Sequence, residues 1–485
     1  MASQNATTSW ASLPCELRLN ILESITRQKP PGWASLASVC KEWQPVFEKE
    51  NYKKLKIRSS RLGEFESMVP PQKRHLIHHI WLDIELRRYS TRCCTKRYSQ
   101  LKTMGTTVTK AIRRIFSILS NWETENSLTL ELNVVCPTDS EHWFRNLHFS
   151  SDCVDDGEES ERFREADCHH HDPRHGWLHG AQVETPSRSA MYQLLYPIRL
   201  DESKIDSSVP TVKAITQLVI RRQLRRRLLS FCWIELLQTL PCLENIVYEP
   251  WYSKARWTGL DDEYLSWIIQ LNLPKTVQRI AMFQESTELY DALPPFAGQR
   301  QDLGHHDRYD EAFATKSLEL HHLAVSFMVD AERMFQNCEP DWVWPNLQTL
   351  SLTSPLLQSD DENRKAIEDL LCRAGELVRK MPKMRTLVLW NGGKEHACAF
   401  IYRLDGNDDP SITWRGTWDM KMSPRVIESW QVVASTFPSG RLDVRNELIR
   451  EAIGSHGDAI YHLRLPVQVV EPASLWQMRR EARGM

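Results

Sequence analysis

The sequence predicts an α/β protein. A small N-terminal helical module comes first, then an irregular array of parallel strands with helical crossovers, then a C-terminal strand hairpin and helix. Three observations predict it. Short amphipathic helical patterns fill the first fifty residues, an apolar-x-x-apolar-x-apolar pattern returns seven times from Ile77 to Leu389, and helical periodicity lies between its copies. The expected division is residues 8–53, 54–395 with a polar insertion at 138–186, and 396–485.

In the N-terminal module, Pro14 suits a first helical turn, where its missing N–H costs nothing, and Glu16 sits where the helix dipole favours negative charge. Leu17, Ile21 and Ile25, with Leu22 beside them, make one apolar stripe. Lys29-Pro-Pro-Gly32 breaks the chain. Trp33, Leu36, Ala37, Cys40 and Trp43 then share a helical face with Val39 at its edge, and Pro45 ends that helix or begins the next, which carries Val46 and Phe47. Burial is worth at most about 1.5–3 kcal/mol per apolar side chain before chain entropy is subtracted. So small a module cannot hide all its apolar surface and tends to dock onto something else.

Leu13-Pro14-x-Glu16-Leu17, then Ile21-Leu22, then Ala37-Ser-Val39-Cys40-Lys-Glu-Trp43 resembles the F-box. The resemblance implies helices that pack onto a Skp-type adaptor and, through it, a cullin. Carried over position by position, the contact residues would be Leu13, Pro14, Leu17, Ile21, Leu22, Val39, Cys40 and Trp43. Arg27 to Trp33 departs from the short link common in that family.

Beyond residue 54 the expected strands are Ile77–Leu82, Ile215–Ile220, Leu243–Tyr248, Val277–Met282, Leu320–Val325, Leu347–Leu352 and Met384–Leu389, with Leu128–Leu132 a shorter relative. Val108, Ile112, Ile115, Phe116, Leu119 and Trp122 make a helical face, and Leu228–Leu240, Asp261–Leu271 and Asp361–Lys380 read as helices. Alternating strand and helix implies parallel pairing. The strand pattern suggests a leucine-rich-repeat-like array, each unit burying its face against its neighbours. Its spacing runs from 27 residues, Leu320 to Leu347, to more than 100, Ile77 to Ile215, so the array is irregular. Ala397–Leu404 and Ser411–Trp418 read as a hairpin, and a helix with Val426, Ile427, Trp430 and Val433 is expected as a terminal cap. Over most of its length the chain is similar to long F-box proteins of filamentous fungi.

Composition narrows the function classes. A net charge of −2 argues against a generic nucleic-acid binder. Twelve cysteines without a CxxC pair, and an N-terminus without a charged and an apolar region, are expected of reduced thiols in the cytosol or nucleus. No apolar run reaches the roughly 20 residues that cross a bilayer. GxGxxG, Walker, HExxH and GxSxG patterns are absent.

Three segments remain as candidates. The insertion carries Asp155 to Glu161 and Cys168-His-His-His-Asp172, with His175 and His179; it reads as a solvated insertion or as a metal or regulatory site. Arg221-Arg-Gln-Leu-Arg-Arg-Arg227 reads as a solvated turn, or as a site for acidic segments, phosphate or nuclear import. The stretches Trp251 to Trp257 and Trp342 to Trp344 are recognition anchors or core. No cofactor and no catalytic residue is expected. The expected function is a substrate-receptor subunit of an SCF-type ubiquitin ligase whose array holds a target protein. The alternatives are an adaptor-binding scaffold outside the ligase, and a metal-binding protein using the His-rich insertion.

Overall fold

The computed structural model describes residues 10–89, 101–122, 127–141, 143–144, 170–200, 209–252, 258–285, 306–406 and 409–483. Twelve strands form one sheet in which spatial order equals chain order. They are β1 (Lys54–Arg58), β2 (His79–Glu85), β3 (Leu128–Val135), β4 (Ile215–Ile220), β5 (Asn245–Tyr248) and β6 (Arg279–Phe283). Then come β7 (His322–Ser326), β8 (Thr349–Thr353), β9 (Thr386–Gly393), β10 (His396–Leu404), β11 (Pro410–Gly416) and β12 (Asp443–Leu448). Pairing is parallel throughout except at β9–β10 and β10–β11, which are antiparallel.

The fourth and sixth positions of the repeated pattern explain this order. Ile80, Leu130, Leu218, Ile246, Ile280, Leu323, Leu350 and Leu387 stand opposite one another across successive strands, and Tyr402 and Ile412 continue the row. A second row runs Ile220, Tyr248, Met282, Val325, Leu352, Leu389, Phe400 and Trp414. All are buried in one continuous core. The first position of the pattern falls two residues before its strand and is buried too, as at Ile77, Leu243, Val277, Leu320, Leu347 and Met384.

Crossover helices cover that face. Leu101–Leu119 contributes Val108, Ile112, Ile115 and Leu119; Ser230–Gln238 contributes Trp233, Leu236 and Leu237; Arg364–Val378 contributes Ile367, Leu370, Leu371 and Leu377. At Gly105 a Cβ would come within 1.9 Å of the Arg199 carbonyl oxygen, so this close approach of helix to loop requires glycine.

The opposite face is closed differently. Past β12 the chain lays Ile449, Ile453, helix His456–Leu463, Val469, Val470 and helix Pro472–Arg483 against Phe283, Val388, Trp390, Ala397, Ala399 and Ile401. At Gly392 a Cβ would meet the Ala459 Cβ at 2.7 Å, so strand and helix touch where a side chain is missing. Both sheet edges carry charge, Lys54, Lys56 and Arg58 on β1 and Asp443, Arg445 and Glu447 on β12, which discourages pairing with another chain.

Several expectations are corrected. The boundary at 395 falls inside the β9–β10 hairpin of one continuous sheet. Helix Pro424–Ala434 is a crossover from β11 to β12 rather than a terminal cap, and packs on helix Arg364–Val378 through a Trp430 Nε1 bond of 3.0 Å to the Leu371 carbonyl. Residues Trp33–Ser38 form a 3₁₀ turn, and Pro45 opens the following helix Gln44–Lys53. β1 and β12 were not anticipated, because edge strands rich in charge show little apolar alternation. Among the described residues, no helix is long and apolar enough to cross a membrane.

The ladder gives an expected outcome. Leu350→Ala removes a fully buried rung and should lower unfolding free energy in urea by about 2–5 kcal/mol. Leu17→Ala, on an exposed helix face, should change it by no more than about 0.5 kcal/mol. Equal losses would mean that the rows do not carry the fold.

Candidate functional site

The first candidate surface is the N-terminal module. Pro14 precedes helix Cys15–Gln28, which turns back through Lys29 in the left-handed conformation. Arg18 pairs with Glu42 at 2.8 Å, Trp10 Nε1 donates to the same carboxylate at 3.0 Å, and Trp43 meets Trp10 edge-on and Phe47 at a tilt. Leu22 and Phe47 are the buried side chains of the two helices. Of the eight residues implied by the resemblance, Leu17, Ile21 and Val39 are exposed at 50%, 40% and 57%. Pro14 and Cys40 are also exposed, and Leu13 and Trp43 are half-buried. Leu22, at 2% exposure, faces inward and packs within the module.

The second candidate is the arginine run, and here the expected solvated turn is overturned. Arg221, Arg222, Arg225, Arg226 and Arg227 are all buried just beyond the C-terminal end of β4. Each of four guanidiniums meets a carboxylate from elsewhere in the chain. Arg221 meets Glu131 of β3 at 2.5 Å. Arg226 forks onto both oxygens of Asp139. Arg222 donates its Nε to Glu285 at 2.5 Å and a terminal nitrogen to Glu481 at 2.8 Å, and Arg225 reaches the other oxygen of Glu481 at 2.5 Å. Trp251 underlies this pair, its ring 4.9 Å from the Arg222 guanidinium and 4.1 Å from that of Arg225, while its Nε1 donates to the Arg222 carbonyl at 2.6 Å.

Glu249, at the end of β5, accepts from the backbone N–H groups of Arg222 at 2.9 Å and Glu471 at 2.7 Å, and from the Ser474 hydroxyl at 2.5 Å. Burial pushes its carboxyl up to about 7, against those three hydrogen bonds. Glu285 moves the other way. Burial raises it, but Arg222, His456 and Arg225 outweigh that and hold it down to about 2. His456 Nε2 lies 2.8 Å from Glu285; burial lowers its pKa, and the carboxylate outweighs burial and raises it above the ordinary histidine value. Burial lowers Arg225 to about 10, so it stays charged at neutral pH.

The centre is an interlock of opposite charges. Among the buried thiols, burial pushes Cys338 up to about 11 and Cys398 up to about 12, and raises Cys136 and Cys372. The carboxylates were missed because they lie far from the arginines in sequence. The usable signal was positional: Arg221, Glu249 and Glu285 each fall within two residues of a strand's end, and in-register parallel strands bring such ends together.

The insertion is more packed than a solvated loop where it is described. Thr138, Asp139, Trp143, His175 and Trp177 are buried, and His175 Nδ1 lies 2.6 Å from Asp172. The rings of His171 and His179 stand 4.9 Å apart. Among the described residues no three of His, Cys, Asp and Glu gather as metal ligands; the acidic run, Cys168 and His169 lie outside those residues. Trp251 and Trp344 are core, Trp344 donating to the Ser317 hydroxyl at 2.7 Å, whereas Trp342 is partly buried; Trp257 lies outside the described residues.

Residues 272–471, less than half of the chain, match a family model described as "Family of unknown function (DUF6546)". That stretch holds β6 to β12 and the helix His456–Leu463, and excludes the N-terminal module. No curated protein matches the chain.

The pKa pattern has a definite sign. Glu249 and His456 both have folded values above their unfolded ones, so their stabilising contributions are complete below about 4.5 and 6.5 and are lost as pH rises through the folded values. Glu285 is ionised throughout that window. Unfolding free energy should fall by roughly 2–4 kcal/mol between pH 5 and 8, and Glu249→Gln should remove most of the fall. Chemical denaturation at four pH values checks this, and an unchanged slope in the variant would contradict the assignment to Glu249.

Proposed function

We propose that the chain is a substrate-receptor subunit of an SCF-type ubiquitin ligase, its N-terminal module docking a Skp-type adaptor and its array holding a target protein. The observation that carries this reading is the outward placement of Leu17, Ile21 and Val39 in a module whose own packing uses Leu22 and Phe47. Leu17 and Ile21 lie one helical turn apart, where a partner covers both at once. Aliphatic side chains left in water on a small module are worth burying against a partner. The sequence pattern around them, Leu13-Pro14 through Trp43, is similar to the F-box, which supports that partner over others.

On this reading the chain supplies proximity, raising the effective concentration of the target near a ubiquitin-loaded partner. The target-binding surface belongs to the array.

The test is retention of a purified Skp-type adaptor on the immobilised full chain. Wild type should retain it, and Leu17→Asp/Ile21→Asp should weaken retention at least about tenfold, since two exposed contacts are lost without touching the core. Unchanged circular dichroism would show that the variant is folded. No retention by folded wild type overturns the proposal. Retention of adaptor without co-purifying cullin would instead favour a scaffold outside the ligase.

A further inference from the structure

Glu481 behaves as a ligand bound in cis. Its carboxylate spans two guanidiniums, with Oε2 on Arg222 at 2.8 Å and Oε1 on Arg225 at 2.5 Å, and both rest against the Trp251 indole. Gln477 Oε1 accepts from Arg222 at 2.6 Å and the Ser474 hydroxyl donates to Glu249 at 2.5 Å. Ser474, Gln477 and Glu481 recur at three- and four-residue spacing, so helix Pro472–Arg483 presents one polar face to the site.

The receiving side is organised without that helix. Arg222 is fixed by Glu285, by the bond from Trp251 to its carbonyl and by the Glu249 carboxylate on its backbone N–H. Arg221 and Arg226 have Glu131 and Asp139, neither of which lies on the helix. Arg225 differs, because the carboxylate it pairs with is Glu481. Lifting the helix away therefore leaves Arg222 held by Glu285 and Arg225 resting on the Trp251 indole without its carboxylate, a positively charged platform at the carboxyl ends of β4 to β6.

The helix is held largely by polar contacts, among them an Arg479–Asp458 ion pair at 3.1 Å and Arg479 against the Tyr461 ring. To the apolar layer on this face it contributes Met478, with Leu475 partly buried, whereas helix His456–Leu463 contributes Ala459, Ile460 and Leu463. Its remaining anchors are polar. A buried ion pair returns much of its attraction as desolvation, and that cost is recovered when the arginines rehydrate. Such segments open locally while the rest of a fold stays closed.

We propose that helix Pro472–Arg483 is a displaceable plug, and that the site at Arg222, Arg225 and Trp251 also receives a helix of a partner protein carrying a glutamate in the position of Glu481. Binding and unplugging are then one competition. This stands on the array and does not depend on what the N-terminal module docks.

Two measurements on the full chain test it. In hydrogen exchange, amides of 475–483 should exchange at least about a hundredfold faster than those of β7 and β8, by an opening that leaves the strands protected. A fluorescein-labelled peptide copying residues 470–483 should bind the Gln477→Ala/Glu481→Ala chain at least about tenfold tighter than wild type. Arg225→Ala added to that chain should abolish binding, as should alanine at the peptide's copy of Glu481. Exchange of the helix in step with β7 and β8 overturns the proposal without relying on any variant. Equal peptide binding by wild type and the double variant overturns it as well.

Discussion

The stacking of apolar side chains, strand on in-register strand, is the constraint from which the rest of this structure follows. A rung such as Leu350 needs Leu323 on one side and Leu387 on the other, and asks nothing about how far away in sequence they lie. This is why spacings between strands vary so widely while the spatial order stays that of the chain. Long excursions are tolerated because each departs from the end of one strand and returns to the start of the next. The antiparallel hairpin β9–β10 keeps the same rows, with Tyr402 and Phe400 replacing leucine as rungs.

A sheet whose strands run parallel cannot leave either face bare. Crossover helices settle one face and leave the other to be covered by different means. Along β2 to β4 it is settled by polar and charged groups that satisfy one another. Trp81 donates to Asp83 at 2.9 Å, Asn133 donates to the same carboxylate at 2.8 Å, and Arg221 lies against both the Trp81 ring and Glu131. Along β6 to β10 it is settled by the apolar part of the segment after β12. The arginine centre lies where the two solutions meet, and carboxylates from β3, from the segments just after β3 and β6, and from the last helix converge on it.

The array was legible because its signal is local and repeated. Leu-x-x-Leu-x-Leu names two core positions and the approach to a strand, and each of the seven copies became one. The β10–β11 hairpin was legible from alternation and from the turn residues after Leu404. Charge was the opposite case. Arg221 to Arg227 looks like a solvated run because arginine is seldom buried unless paired, and the pairs are supplied by Glu131, Asp139, Glu285 and Glu481, up to 259 residues away. Tertiary pairing overrode a sound local expectation. Likewise nothing in Ile449 to Met478 announces that it covers a sheet face rather than ending the array, since amphipathic helices read alike in either place.

Exposure and satisfaction divide the molecule's candidate surfaces into two kinds. The N-terminal module leaves aliphatic groups in water, and a partner that covers Leu17 and Ile21 gains from their desolvation. The arginine centre has already been desolvated, and its groups are already matched. A new ligand there gains the difference between its own contacts and those of Glu481, so affinity will be modest while selectivity for a correctly spaced carboxylate is high. Apolar docking at one place and exchange of like for like at the other are physically independent. On the proposed reading, in which the chain joins two proteins, that independence lets one contact persist while the other turns over.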